Sequence, residues 1–137
     1  MSWDVFIMRF PAEARDVTDI PDDWKPPSLG TGREVRAVLT RILPGIAMSD
    51  DGWGDYAGPG FFLSTHVDEA DDAPVATVAL FIRGDSSEAA HTAVAITNAF
   101  QARAYDTGSG GFLTADSAET GFDAWRDYRD QVRNQHE

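Results

Sequence analysis

The middle of the chain holds two β-strand patterns, and each is joined on its outer side to a helical pattern. From Phe61 to Val67 every second residue is apolar or threonine, which is typical of a strand with one buried face. Val75 to Arg83 is the most β-prone run in the chain, and the acidic segment Asp68 to Pro74 separates it from the first strand. Together the two strands predict an antiparallel hairpin.

The first helical pattern begins with a capping signal. Thr31 and Glu34 fit a capping box, in which the threonine oxygen accepts from the amide three residues on and the glutamate reaches back. Apolar residues then recur at helical spacing: Val35, Val38, Leu39, Ile42 and Leu43. Pro44 and Gly45 predict the end of this helix.

The remaining segments complete the order of elements. Further helices are predicted to open at Asp85 to Glu88 and to run from about Thr120 to Arg133. Strands are predicted at Asp4–Phe10, Arg103–Asp106 and Gly111–Thr114. Residues 11–32, with four prolines, are predicted to be irregular, and residues 46–60 to form a loop.

This order predicts the fold class. A β-α-β-β-α-β order is the split βαβ arrangement of ferredoxin-like domains, here with an extra short strand and a C-terminal helix. We therefore predict an α+β fold in which residues 1–137 form a single domain. Its helices are expected to pack on one face of an antiparallel sheet.

The charge of the chain excludes some functions and favours others. The net charge is −12, and the eleven basic residues are scattered without the basic stripe that nucleic-acid binding needs, so DNA and RNA are not expected partners. No apolar run approaches the ~20 residues of a membrane helix. The absence of cysteine and the acidic Asp4 in the N-terminal segment favour a cytoplasmic protein. An acidic surface provides solubility or steers a basic partner.

The segment Asp106–Gly110 (DTGSG) resembles several active-site motifs. A pepsin-like protease needs a second such aspartate, which this chain lacks. A trypsin-like serine would follow an aspartate, whereas Ser109 follows a glycine, and a phosphate-binding loop would continue into a lysine and a helix. The segment is instead predicted to be the turn of a β-hairpin.

No metal or cofactor is expected from the sequence. The acidic residues around Asp50 and Asp68 do not have the spacing of a calcium loop. The histidines, His66, His91 and His136, do not have the spacing of zinc ligands.

Five residues are candidates for binding. Trp24 and Trp53 lie in loops rich in proline, glycine and aspartate, where each either plugs its loop onto the core or anchors a partner. His66, Arg83 and Asp106 form the only polar set that would serve a small ligand-binding domain or enzyme with a cleft between the sheet and the long loop.

Four segments resemble a group of short, functionally uncharacterised bacterial proteins. These are Ser2–Phe10, Ile20–Trp24, Asp106–Gly110 and Phe122–Val132. The resemblance implies no activity and no catalytic residue. The net charge of −12, the loop tryptophans and the lack of a convergent catalytic set lead us to expect an interaction or regulatory domain, immunity-like, that binds a basic protein; a ligand-binding domain or enzyme is the alternative. The sequence does not determine the oligomeric state, because unpaired strand edges are compatible with association.

Overall fold

The computed structural model describes residues 1–135, so His136 lies outside it. This part of the chain contains three α-helices: α1 (Gly32–Ile42), α2 (Glu88–Ala99) and α3 (Ala118–Gln135). It also contains nine strands: β1 (Trp3–Met8), β2 (Gly30–Thr31), β3 (Ala47–Met48), β4 (Trp53–Gly58), β5 (Phe61–His66), β6 (Pro74–Val75), β7 (Val78–Gly84), β8 (Arg103–Asp106) and β9 (Gly111–Leu113).

Seven of these strands form one sheet in the order β3-β4-β5-β7-β1-β8-β9. Every pairing within it is antiparallel, and β2 and β6 form a separate antiparallel pair. The predicted α+β class is confirmed, but the sheet is wider than the five strands that the sequence indicated.

The extra width comes from β3 and β4, so the prediction of a loop over residues 46–60 is wrong. β4 is rich in glycine and has little intrinsic β-propensity, yet it pairs with β5 from end to end. One of its glycines is required by packing, because a Cβ at Gly58 would stand 2.3 Å from the Phe61 ring. Pairing with a neighbouring strand thus determines the structure here, and local preference does not.

The register divides the sheet into two faces. Val5 pairs with Leu80 on one side and with Asp106 on the other, so these three side chains share a face. They are fully buried, and residues from all three helices join them in the core, among them Leu39, Ile96 and Phe122. All three helices therefore cover this one face of the sheet.

Local signals position α1 and the long segment before it. The capping box is confirmed, because the Glu34 amide donates to Thr31 Oγ1 at 3.2 Å and the Thr31 amide donates to Glu34 Oε1 at 3.0 Å. The segment before α1 includes a short 3-10 turn at Val17–Asp19 and is anchored by Trp24, whose ring stacks on Phe10 at 5.7 Å.

Candidate functional site

The second face of the sheet has no helix over it among the elements of residues 1–135. It carries one aromatic side chain from each of six neighbouring strands: Phe6, Trp53, Phe62, Phe81, Tyr105 and Phe112, the last of which packs against Phe10 at the β9 edge. Phe62 is 65% exposed and Trp53 is 40% exposed. Exposed aromatic residues on a rigid sheet are typical of binding surfaces.

A hollow of about 600 Å³ opens beside Phe62. The side chains of Asp55, Ser64 and Arg83 border it, and the Ser64 hydroxyl donates to Asp55 Oδ1 at 2.8 Å. The exposed Arg83 guanidinium has no hydrogen-bond or ion-pair partner in the part of the chain that the structure describes. This hollow therefore presents a phenyl ring, a carboxylate and an unpaired cation together.

A second hollow, of about 340 Å³, lies where the loop before β4 meets the loop after β5. The loop before β4 packs tightly on the loop after β5, since the Val67 amide donates to the Gly52 carbonyl at 2.8 Å. Gly52 has a φ of 91°, and a Cβ there would stand 2.8 Å from the Val67 carbonyl oxygen. Five carboxylate residues line this acidic hollow: Asp50, Asp51, Asp68, Glu69 and Asp71.

Arg36 is the one basic residue of the described chain, residues 1–135, that lines the acidic hollow, and it is already engaged. Arg36 donates to the Glu69 carbonyl at 2.9 Å and to Asp71 Oδ1 at 2.5 Å. Hydrogen bonds from Arg36 and then Arg33 hold the pKa of Asp71 below its ordinary value. The Ser49 hydroxyl and then the Trp53 amide do the same for the pKa of Asp51. These carboxylates therefore remain charged at neutral pH, and the hollow is strongly negative.

Trp53 connects the acidic hollow to the uncovered face. It is the first residue of β4, and its ring lies 4.7 Å from His66 and 6.0 Å from Phe81. His66 Nε2 lies 2.9 Å from the Asp51 carbonyl oxygen, to which it donates when protonated at that nitrogen. The indole is thus held in place by the strand and by His66, with part of its surface open to solvent.

The structure brings only some of the predicted site residues together. Trp53 and His66 are in contact, and Arg83 lies on the same face further along β7. Asp106 lies on the opposite, helix-covered face, so the predicted set of His66, Arg83 and Asp106 shares no cleft. Trp24 packs on Phe10, apart from the acidic hollow.

The role of Asp106 in its turn is clear from its contacts. Its Oδ1 accepts from the Gly108 amide at 2.8 Å and from the Ser109 amide at 3.3 Å, and the Gly110 amide donates to its carbonyl at 2.9 Å. The predicted hairpin turn between β8 and β9 is confirmed. Oδ2 is buried against Gly121 of α3 and has no partner among the described residues.

Asp55 and Phe62, which border the hollow of about 600 Å³, are not among the predicted site residues. The sequence predicts a loop at Asp55, because the glycines around it hide the strand pattern. The alternation along β5 places Phe62 on the same face as Ser64 and His66. An aromatic residue among these polar residues is the sequence signal that marks Phe62. A phenyl group on an otherwise polar strand face indicates either a covering element or a binding surface.

Comparison with known proteins gives no family. No protein-family model matches the chain, and no curated protein matches it. Within residues 1–135, no group of three or more histidine, aspartate or glutamate residues is arranged to hold a metal ion. None of the helices described is long and apolar enough to cross a membrane.

Proposed function

We propose that this protein is an interaction domain that binds a basic protein through the acidic hollow and Trp53, and so neutralises or regulates that partner. The observation that carries the proposal is the 40% exposed indole of Trp53, a residue that directly follows the loop contributing Asp50 and Asp51 to a hollow lined by five carboxylate residues. The net charge of −12 supports it, because long-range attraction raises the rate of association with a basic partner.

The local chemistry suits an arginine or lysine side chain of the partner. A guanidinium stacked on an indole gains about 0.5–2 kcal/mol, depending on how far it is desolvated. Asp50, Asp68 and Glu69 make no side-chain hydrogen bond within residues 1–135, so their oxygens are free to accept from basic side chains of the partner. Asp51 and Asp71 instead hold the two loops in position through Ser49 and the arginines of α1.

The test is an affinity capture from the source lysate with matched variants. One bait carries Asp50→Asn, Asp68→Asn and Glu69→Gln, which removes three charges from the acidic hollow. The matched control carries Asp22→Asn, Asp23→Asn and Asp127→Asn, exposed residues outside both hollows. Both baits therefore have the same net charge and differ only in where the charge was removed.

We expect the wild type and the control to retain one basic protein that the hollow variant releases. Retention should weaken as salt rises, since the Debye length falls from ~10 Å at 0.1 M to ~3 Å at 1 M. The retained protein is identified, purified and titrated with each variant and with Trp53→Ala. If no basic protein is retained, or if the control loses it as completely as the hollow variant, the proposal is wrong.

We infer in addition that the central part of the sheet is a ferredoxin-like unit. This inference is supported by the order β5-β7-β1-β8, all antiparallel, with α1 after β1 and α2 after β7 on one face. β3, β4 and β9 would then be additions at the two edges. The arrangement itself implies no activity, because ferredoxin-like domains have many unrelated functions.

A further inference from the structure

The surface around Phe62 carries features that complement one another. Phe62 projects from β5 with 65% of its surface exposed, and the hollow of about 600 Å³ beside it is larger than one phenyl group needs. Asp55 and Arg83 lie on opposite sides of β5. A surface with a projection, a hollow, a negative group and a positive group is able to bind a copy of itself, as the interface of a symmetric dimer requires.

We propose that this surface, the Phe62 patch (Asp55, Ala57, Phe62, Ser64 and Arg83), is the interface of a symmetric homodimer. The sheets of the two copies face each other, and the twofold axis lies in the plane between them. The axis crosses the line from Asp55 to Arg83 at a right angle and at its midpoint, level with Leu63 of β5. Asp55 of each copy then lies opposite Arg83 of the other.

The strand geometry places the two charged residues where the twofold axis requires them. Asp55 pairs with Ser64, and Arg83 pairs with Phe62, so the two charges are two strands and two residues apart, or about 12 Å. Rotation about the stated axis exchanges the two positions. The same rotation places Phe62 of one copy over Ala57 of the other, within the hollow that Asp55 and Ala57 line.

The charge of the patch favours a second copy over a basic protein at this site. The patch holds one carboxylate and one guanidinium, so its own charge is balanced although the whole chain carries −12. The acidic hollow lies about 13 Å further along β5, so the dimer does not depend on the proposed function.

A charge exchange between two variants tests the pairing. Asp55→Arg places two like charges opposite each other at both contacts, and so does Arg83→Asp. Each single variant should raise the dimer Kd at least about tenfold in sedimentation equilibrium at ~0.15 M salt. An equimolar mixture of the two variants should form a heterodimer, because both contacts then join opposite charges. The double variant should dimerise by itself for the same reason.

The controls separate this interface from other surfaces. Asp127→Arg on α3 makes the same charge change outside the patch and should leave the mass at twice the 14.9 kDa of one chain. Phe62→Ala should weaken the dimer, whereas Tyr128→Ala, which removes a ring that is 60% exposed on α3, should not. Far-UV circular dichroism checks that each variant is folded.

Three results would overturn the proposal. The first is a wild-type chain that stays monomeric at the highest concentration reached. The second is a wild-type dimer that both single variants retain, since the interface would then lie elsewhere. The third is a mixture of folded Asp55→Arg and Arg83→Asp chains that stays monomeric, because the stated pairing requires it to associate.

Discussion

The contact between Gly121 and Asp106 leads to a prediction about stability. Whether Gly121→Ala raises or lowers the free energy of unfolding should depend on whether Asp106 is present. Gly121 lies in the first turns of α3, and a Cβ at this position would stand 2.6 Å from Asp106 Oδ2. The carboxylate is not free to move aside, because its other oxygen accepts from the Gly108 and Ser109 amides. Gly121→Ala should therefore be destabilising, although alanine is the better helix residue.

The magnitude follows from two opposing effects. Glycine to alanine within a helix contributes about 1 kcal/mol of stability where the methyl group has room. Overpacking against a fixed group costs about 1–3 kcal/mol, and displacing Asp106 weakens hydrogen bonds worth about 0.5–1.5 kcal/mol each. We expect Gly121→Ala to lower the free energy of unfolding of the wild type by about 1–2 kcal/mol.

In an Asp106→Ala background, Gly121→Ala should become stabilising. Asp106→Ala is itself destabilising by about 1–3 kcal/mol, since the turn amides lose their acceptor. It also removes the oxygen that the new methyl group would meet, so Gly121→Ala in this background should raise the free energy of unfolding by about 1 kcal/mol. The resulting coupling energy is about 2–3 kcal/mol.

Denaturant unfolding of the four chains, followed by circular dichroism, measures this cycle. The wild type, the two single variants and the double variant are compared at one pH and temperature, with the slope of each transition checked for two-state behaviour. An effect of Gly121→Ala that has the same sign and size in both backgrounds would refute the packing argument.

Three other predictions concern buried and half-buried contacts. Arg129 is only 5% exposed and donates to the Gly84 carbonyl at 2.8 Å, so Arg129→Met should lower the free energy of unfolding by about 1–3 kcal/mol in the same assay. A hydrogen bond from Arg129 holds the pKa of Asp85 below its ordinary value, so the unfolded chain takes up this proton at higher pH than the folded chain does. The wild type should therefore lose stability as the pH falls below about 4, and Arg129→Met should show a shallower loss; equal slopes would contradict this. Trp24→Ala should lower the free energy of unfolding by about 1–3 kcal/mol, because its stacking partner Phe10 is buried. Trp53→Ala should lower it by less than about 1 kcal/mol, because the Trp53 side chain is exposed. A larger loss for Trp53→Ala than for Trp24→Ala would contradict these assignments.

Much of the fold could be predicted because its signals are local. The capping box at Thr31, the apolar stripe of α1 and the alternation along β5 each arise from residues within a turn or two of one another. The turn after Asp106 could also be predicted, since its glycines and its capping carboxylate belong to the same short segment. The boundaries differ by a few residues, as for α3, which begins at Ala118 and ends at Gln135.

The candidate site was less predictable because its parts meet through the sheet. Asp55 lies in a strand with little β-propensity of its own that pairs with β5 along its whole length. The acidic hollow combines residues that are about 20 positions apart in the sequence, and Gly52 has to fit against Val67 before the two loops meet. The predicted set of His66, Arg83 and Asp106 failed because no sequence pattern shows the faces on which distant strands place their side chains.

The sequence by itself determined the α+β class, the three helices, the hairpin turns and the acidic charge. Each of these depends on local periodicity, on turn chemistry or on composition. Only the tertiary structure decided that no helix within residues 1–135 covers one face of the sheet, that Asp106 lies on the other face, and that two distant loops gather five carboxylate residues into one hollow. The physical reason is that side chains alternate across a strand, so the pairing register, a long-range property, determines which residues share a surface.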